Sequence, residues 1–203
     1  TVFMMRPITV DELSVFREAW LELAIKVDLS EYNTIDIVGT GGDGKDTFNI
    51  STITSFVVAG TGQKVAKHGN YSVSSKSGSS DMLQSFGYEF TNNEATLKSH
   101  LEKANICFLI LGTFNLEIAR LYNYILQDEQ SQYGIIHGLD GYDEISLTSG
   151  FKLFTKFGEQ LINPEDNGLE RISQSEIYGG NSVEDAAKVF KNIIEGKGTK
   201  AQN

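Results

Sequence analysis

Cysteine is almost absent. The 203 residues carry one, Cys107, which excludes an internal disulfide and any metal site built from thiolates. Its neighbours Ile106 and Phe108 mark it as a buried strand position. Basic charge is also scarce, 17 Lys and Arg against 27 Asp and Glu for a net charge of -10. The sequence shows no basic stripe of the kind a phosphate backbone demands, which argues against a nucleic-acid partner. A small anion is not excluded, because backbone amides, a lysine or a metal bind phosphate locally even in an acidic protein. No apolar run approaches the roughly 20 residues that cross a bilayer, and no basic segment followed by an apolar stretch and a cleavage site opens the chain. These absences predict a cytoplasmic protein with no membrane partner. Internal repeats and low-complexity segments are missing too, and the length suits one domain, or one domain plus part of another.

What the sequence does have is a glycine-rich stretch after a short apolar run. Ile35 to Val38 reads as a buried strand, and Gly39, Gly41, Gly42 and Gly44 follow it within six residues. Glycine lets bare backbone N–H groups approach an anion and tolerates the positive φ of a concave nest of amides. Ser51 and Thr52 then open a predicted helix whose N-terminal amides point to the same place. Taken alone, such a cluster is more often only a tight turn. The spacing matches neither Gly-x-x-x-x-Gly-Lys-Ser/Thr nor Gly-x-Gly-x-x-Gly.

Two further stretches bear on this choice. Val65-Ala66-Lys67-His68-Gly69-Asn70 is a short apolar strand running into a loop with Ser72, Ser74, Ser75, Ser77 and Gly78-Ser79-Ser80-Asp81. Asp143 and Glu144 follow the apolar pair Ile135-Ile136, where a strand ends, the usual location of ligand sites in open α/β sheets. Adjacent carboxylates suit Mg²⁺, a hard cation that prefers oxygen ligands. An exposed acidic turn explains an isolated Asp-Glu pair equally well.

Together, Gly39-Thr40-Gly41-Gly42-Asp43, Thr47-Phe48-Asn49-Ile50-Ser51-Thr52, Lys67-His68-Gly69-Asn70 and Gly78-Ser79-Ser80-Asp81 resemble the anthranilate phosphoribosyltransferases in order and spacing. The resemblance implies transfer of the phosphoribosyl group of 5-phosphoribosyl 1-pyrophosphate to anthranilate in tryptophan synthesis, with Mg²⁺ as cofactor. It assigns donor binding to Gly39, Gly42, Asp43, Thr47, Asn49, Ile50, Ser51, Thr52, Lys67, Asn70, Ser74, Ser75 and Ser79. Gly39 and Asn70 would border anthranilate, and Ser51, Asp143 and Glu144 would hold the metal. His68 reads either as a general base or as a brace for its loop, and an aromatic amine, which needs little deprotonation before attack, favours the brace. Tyr71 stands where many members carry arginine. A homodimer formed through a helical domain is a further implication.

Periodicity predicts an α/β fold, a mostly parallel sheet covered by helices. Predicted helices span 51–60, 79–86, 93–103, 116–126 and 182–195; predicted strands span 35–38, 64–67, 106–111, 133–137, 145–147 and 151–155. Before them, Thr9-Val10-Asp11-Glu12 is a capping-box pattern, and Leu13, Phe16, Trp20 and Leu23 follow at helical spacing. By the resemblance, 1–34 is the remainder of a small N-terminal helical domain with its hinge, and 35–203 is the α/β domain.

The resemblance breaks near 109–112. Members of the family carry a further segment there, with a histidine-proline pair, an arginine facing anthranilate and a turn rich in asparagine and glycine. Here the strand runs straight into Gly112-Thr113-Phe114-Asn115. Parallel strands need a crossover of a dozen or more residues, which favours omitted residues over a true junction. The ends, 1–6 and 198–203, read as places where a family member would continue. Two alternatives remain open: a pyrimidine nucleoside phosphorylase, whose fold and loops are related but which has no need of an Asp-Glu metal pair, and a non-catalytic paralogue that binds phosphoribosyl pyrophosphate.

Overall fold

A computed structural model describes residues 6, 8–23, 27–39, 46–69, 78–110, 132–142 and 144–202. The first helix, α1 (Val10–Leu23), starts where the capping box predicts. The Glu12 N–H donates to Thr9 Oγ1 at 3.3 Å, and the Thr9 N–H donates back to Glu12 Oε2 at 3.0 Å. Two of the amides that a helix start leaves without partners are thus satisfied within four residues.

From residue 35 the chain alternates as predicted. Helix α2 (Ile50–Gly60) leads to strand β1 (Val65–Gly69), then α3 (Ser79–Ser85), α4 (Glu94–Ala104) and strand β2 (Ile106–Ile110). β1 and β2 pair in parallel with Val65 opposite Ile106 and Gly69 opposite Ile110, and Ile35 bridges Val65 in parallel on the other side. Period-two alternation sends Val65, Ile106 and Phe108 to one face and Ala66 and Cys107 to the other. Both faces are covered, as parallel strands require. On the first face lie Ile53 and Ala59 of α2, Met82 and Leu83 of α3, and Phe190 of the last helix, α5 (Val183–Ile194). Leu97 and Leu101 of α4, both fully buried, and Leu29 cover the second.

The remaining strands depart from strict alternation. β3 (Ile135–Gly138), β4 (Phe151–Thr155) and β5 (Gly158–Ile162) form an antiparallel meander. β5 was not predicted; Gly158-Glu159-Gln160 is polar and largely exposed, so it carries no strand signal of its own. The predicted strand at 145–147 is not one. Leu147 adopts φ +60°, and Ser146 and Thr148 turn their hydroxyls onto Asp140 on either side of it, which folds the segment into bends. The predicted strand at 35–38 keeps only the Ile35 bridge. The predicted helix at 116–126 lies outside the described residues. Among the described residues, no helix is long and apolar enough to cross a membrane.

One tertiary contact places the start of α2. The Phe48 N–H donates to Ile177 O at 3.0 Å, the Gly179 N–H donates to Asp46 O at 2.8 Å, and Thr47 bridges Tyr178. A Cβ at Gly179 would lie 2.4 Å from Thr47 O, so only glycine lets the two backbones meet. Gly179→Ala is expected to destabilise the chain by about 1–3 kcal/mol, the usual cost of forcing a packed contact apart. The check is a lower urea midpoint with an unchanged denaturant slope.

Candidate active site

The C-terminal end of β1 and the start of α2 come together through Lys67 and Ser51, beside Gly39. Ile35 keeps ladder geometry: its N–H donates to Lys64 O at 2.9 Å, and its carbonyl accepts from Ala66 N–H at 3.0 Å. A continued ladder would next join Ile37 O to the His68 N–H. Side chains take both partners instead. Lys67 Nζ donates to Ile37 O at 2.6 Å, and the His68 N–H donates to Asp36 Oδ1 at 3.0 Å. Beyond Ile35 the strand therefore parts from β1, and the glycine stretch begins in the gap.

Lys67, an ionisable side chain, is only 1% exposed. Burial lowers its pKa from the ordinary 10.5 to about 8, against the opposing pull of Asp36 and Glu144. Its Nζ also lies 3.4 Å from Ser51 Oγ, in the first turn of α2. Gly39 faces the same place: a Cβ there would sit 3.5 Å from Glu144 Oε1 and 3.8 Å from Ser51 Oγ. Those are ordinary contact distances, so a methyl group would be tolerated by the packing but would fill the space between two oxygen donors. Glycine keeps that space open.

The loop bearing Glu144 is braced internally. Asp140 Oδ2 accepts from Ser146 Oγ at 3.3 Å and from Thr148 Oγ1, while the Thr148 N–H donates to Ser146 Oγ at 3.2 Å. The backbone closes the loop through Leu139 N–H to Gly150 O at 3.0 Å.

Of the residues predicted for the site, the structure brings together Gly39, Ser51, Lys67 and Glu144. Asn49 caps α2 through its carbonyl, which accepts from Thr52 and Ile53 N–H at 3.1 and 3.0 Å; Ile50 begins that helix and Thr52 is fully buried in it. Thr47 sits at the Tyr178 bridge. Ser79 opens α3, its Oγ 2.8 Å from where a Cβ on Gly69 would stand, so the end of β1 abuts that helix start. Gly42, Asp43, Asn70, Ser74, Ser75 and Asp143 lie outside the described residues. Among the described residues no group of three or more His, Cys, Asp or Glu could hold a metal ion. His68 Nδ1 is 2.7 Å from Asp36 Oδ2. Sequence reasoning gave Asp36 and Asp140 no role; a carboxylate inside an otherwise apolar predicted strand was the available signal for Asp36.

Parallel strands under helices, with Gly39, a buried lysine and a carboxylate brought together beside the start of α2, define an α/β domain with a candidate ligand site at its sheet end. In agreement, the family described as "Glycosyl transferase family, a/b domain" matches residues 31–111. An anthranilate phosphoribosyltransferase of Flavobacterium johnsoniae is 49% identical over the whole chain, which spans 74% of that relative. The chain belongs to the anthranilate phosphoribosyltransferase family. Among solved structures, the Thermus thermophilus anthranilate phosphoribosyltransferase superposes with a TM-score of 0.83 at 24% identity, covering 98% of this chain and 72% of that one. The Saccharomyces cerevisiae enzyme in complex with PRPP and Mg superposes with a TM-score of 0.77 at 24% identity, covering 90% of this chain and 62% of that one.

The depressed pKa of Lys67 has a measurable consequence. Between about pH 8 and 10.5 the unfolded chain holds a proton on Lys67 that the folded chain has released, so this residue makes stability rise with pH across that window. The full rise is roughly 3 kcal/mol. Comparing wild type with Lys67→Met by urea unfolding at each end of the window is expected to show this pH-dependent difference. A constant difference would remove the buried charge from the account.

Proposed function

We propose that the chain transfers the phosphoribosyl group of 5-phosphoribosyl 1-pyrophosphate to the amino nitrogen of anthranilate, releasing pyrophosphate and N-(5-phosphoribosyl)anthranilate for tryptophan synthesis. The observation that carries this reading is the meeting of Gly39, Ser51, Lys67 and Glu144 at one sheet end in a chain of this family.

Leaving pyrophosphate takes the C1–O electron pair, the ribose carbon gains oxocarbenium character, and the amine lone pair closes on it; the surplus proton leaves the nitrogen for water. The protein must stabilise charge on the leaving group and hold the amine in line, with no covalent nucleophile. Backbone amides of Gly39, Gly42 and Asp43 and the helix start at Asn49, Ile50, Ser51 and Thr52 hold the diphosphate, with Thr47 adding a hydroxyl. Lys67 supports this anion from behind Ser51, its charge kept close by burial. Ser74, Ser75 and Ser79 donate from the second loop, and Gly39 and Asn70 border anthranilate.

Ser51, Asp143 and Glu144 are the residues that would hold Mg²⁺. The fit rests on donor chemistry: Ser51 Oγ and Glu144 Oε1 flank one point beside Gly39, and both are the hard oxygen ligands this ion takes. When bound, Mg²⁺ offsets the charge that builds on the departing diphosphate. We read 1–34 as the remainder of a helical domain through which a cytoplasmic homodimer forms, and 35–203 as the donor-binding domain.

One observation favours a second reading, a chain that binds the donor without turnover. The alignment with the Flavobacterium relative runs over 243 positions for 203 residues, which leaves 40 positions unmatched, and the family match ends at residue 111. By the family resemblance, the missing arginine segment would fall near 109–112. Anthranilate consumption with phosphoribosyl pyrophosphate and Mg²⁺ separates the two readings, and Mg²⁺ dependence separates the transferase from a nucleoside phosphorylase. Asp143→Asn combined with Glu144→Gln is expected to lower turnover on the order of 100-fold, as losing preorganised charge stabilisation does, while the circular dichroism spectrum stays unchanged. Near-normal turnover would take both acids out of the metal site.

A further inference from the structure

Asp140 stands three residues before Asp143 and four before Glu144, and its carboxylate turns back on its own loop. Oδ2 accepts from Ser146 Oγ at 3.3 Å and from Thr148 Oγ1. One oxygen thus joins the chain ahead of the two acids to two positions behind them. The Thr148 N–H donates to Ser146 Oγ at 3.2 Å, and Leu147, between these hydroxyls, takes φ +60°, a conformation that bulky side chains rarely adopt. Ser146 is buried, which limits the competition of water for its bonds.

The same loop has an inner anchor. Tyr142, directly before Asp143, is buried in one core cluster with Phe48, just ahead of α2, Ile53 within it, and Val65 of β1. Its carbonyl accepts the Gly138 N–H at 3.2 Å, and a Cβ on Gly138 would lie 2.7 Å from that oxygen, so the turn closes only on glycine. Between the Tyr142 anchor and the Ser146 hydroxyl remain Asp143, Glu144 and Ile145. The span that carries the two acids is therefore short and held at both ends.

We propose that Asp140 is a positioning residue for the metal-binding carboxylates. By clasping Ser146 and Thr148 it closes the loop around Asp143 and Glu144, with Tyr142 as the fixed end, so that Glu144 faces the point beside Gly39 and Ser51 before any cation arrives. This rests on the metal role read for Ser51, Asp143 and Glu144. The competing role for Asp140 is direct ligation through Oδ1, which is buried and has no hydrogen-bond partner among the described residues.

The two roles part on the hydroxyls. Ser146→Ala combined with Thr148→Val opens the clasp and leaves every carboxylate in place, whereas Asp140→Asn removes both the clasp's charge and the ligand. Mn²⁺, which takes the same oxygen ligands, is titrated into the full chain and followed by the paramagnetic resonance of the free ion. The binding that Asp143→Asn with Glu144→Gln abolishes defines the site. Both clasp variants are expected to bind Mn²⁺ there about tenfold more weakly, the low end of what outer partners of metal ligands contribute. A merely structural role would lower the folded fraction and leave the affinity of folded chains unmoved. Weaker binding in Asp140→Asn with normal binding in the hydroxyl variant assigns Asp140 to ligation or bulk charge and overturns the proposal; normal binding in Asp140→Asn overturns it as well. Should the double variant fail to fold, Thr148→Val alone replaces it, with an expected loss of about threefold, and an unchanged affinity again overturns the proposal. A wild type without site-specific Mn²⁺ binding sinks the metal assignment and the proposal together. A wild type that binds Mn²⁺ but transfers no phosphoribosyl group sinks only the turnover reading, since the clasp is scored on affinity.

Discussion

Among the described residues Lys67 is the one charged side chain that is buried, and the site depends on where its ammonium is tied. Removing such a group from water costs several kcal/mol unless partners surround it. Here the partners are the Ile37 carbonyl, the Ser51 hydroxyl and the nearby carboxylates of Asp36 and Glu144. They come from three parts of the chain. The strand before the glycine stretch, the first turn of α2 and the acidic loop are thus held around one cation, and satisfying that cation fixes their relative positions. Because the Ile37 carbonyl goes to a side chain, the ladder is released after Ile35, and the released backbone can turn into the glycine stretch.

A chain of net charge -10 can hold a diphosphate because many of its acids are already engaged in holding loops. Asp36 accepts from His68, Asp81 from the Gly78 N–H, Asp140 from Ser146 and Thr148, and Asp185 from the Asn181 N–H. Each carboxylate ties down backbone or hydroxyls close to it in space, at the turns where the chain has few other partners. Local geometry therefore outweighs overall charge, which acts at the protein surface through water and salt.

Features carried by neighbouring residues were legible in the sequence. The Thr9–Glu12 box, the apolar runs at Val65 to Lys67 and Ile106 to Phe108, and the helix predicted over 182–195 each write their structure within a few positions. Features that depend on register were not. Asp36 meets His68 across 32 positions because Ile35 happens to stand opposite Val65, and neither residue alone announces it. Gly179 is similar: nothing near it in the chain requires glycine, and the Thr47 carbonyl that does is brought there by the fold. The acidic loop misled in the opposite direction. Ile145 and Leu147 have the composition of a strand, but hydroxyls at 146 and 148 that could bond Asp140 offered the backbone a turn instead, and the turn won.

Glu144 must reach the space beside Gly39 from a loop attached to an antiparallel meander, while Ser51 and Lys67 reach it from the parallel sheet. Two such units keep a site aligned only if each loop is stiffer than the span between them. On one side Asp140, Ser146 and Thr148 close the acidic loop over eight residues, and the Ile172 N–H to Leu147 O bond at 3.2 Å anchors it to the segment leading to Ile177. On the other, that same segment continues through Ile177 and Gly179 to clamp Asp46 to Phe48, directly before α2. The stretch from 172 to 179 therefore touches both halves of the site in succession. Its backbone bonds set the distance between Glu144 and Ser51 without supplying a reacting group, and that is why a glycine far from the chemistry can matter to it.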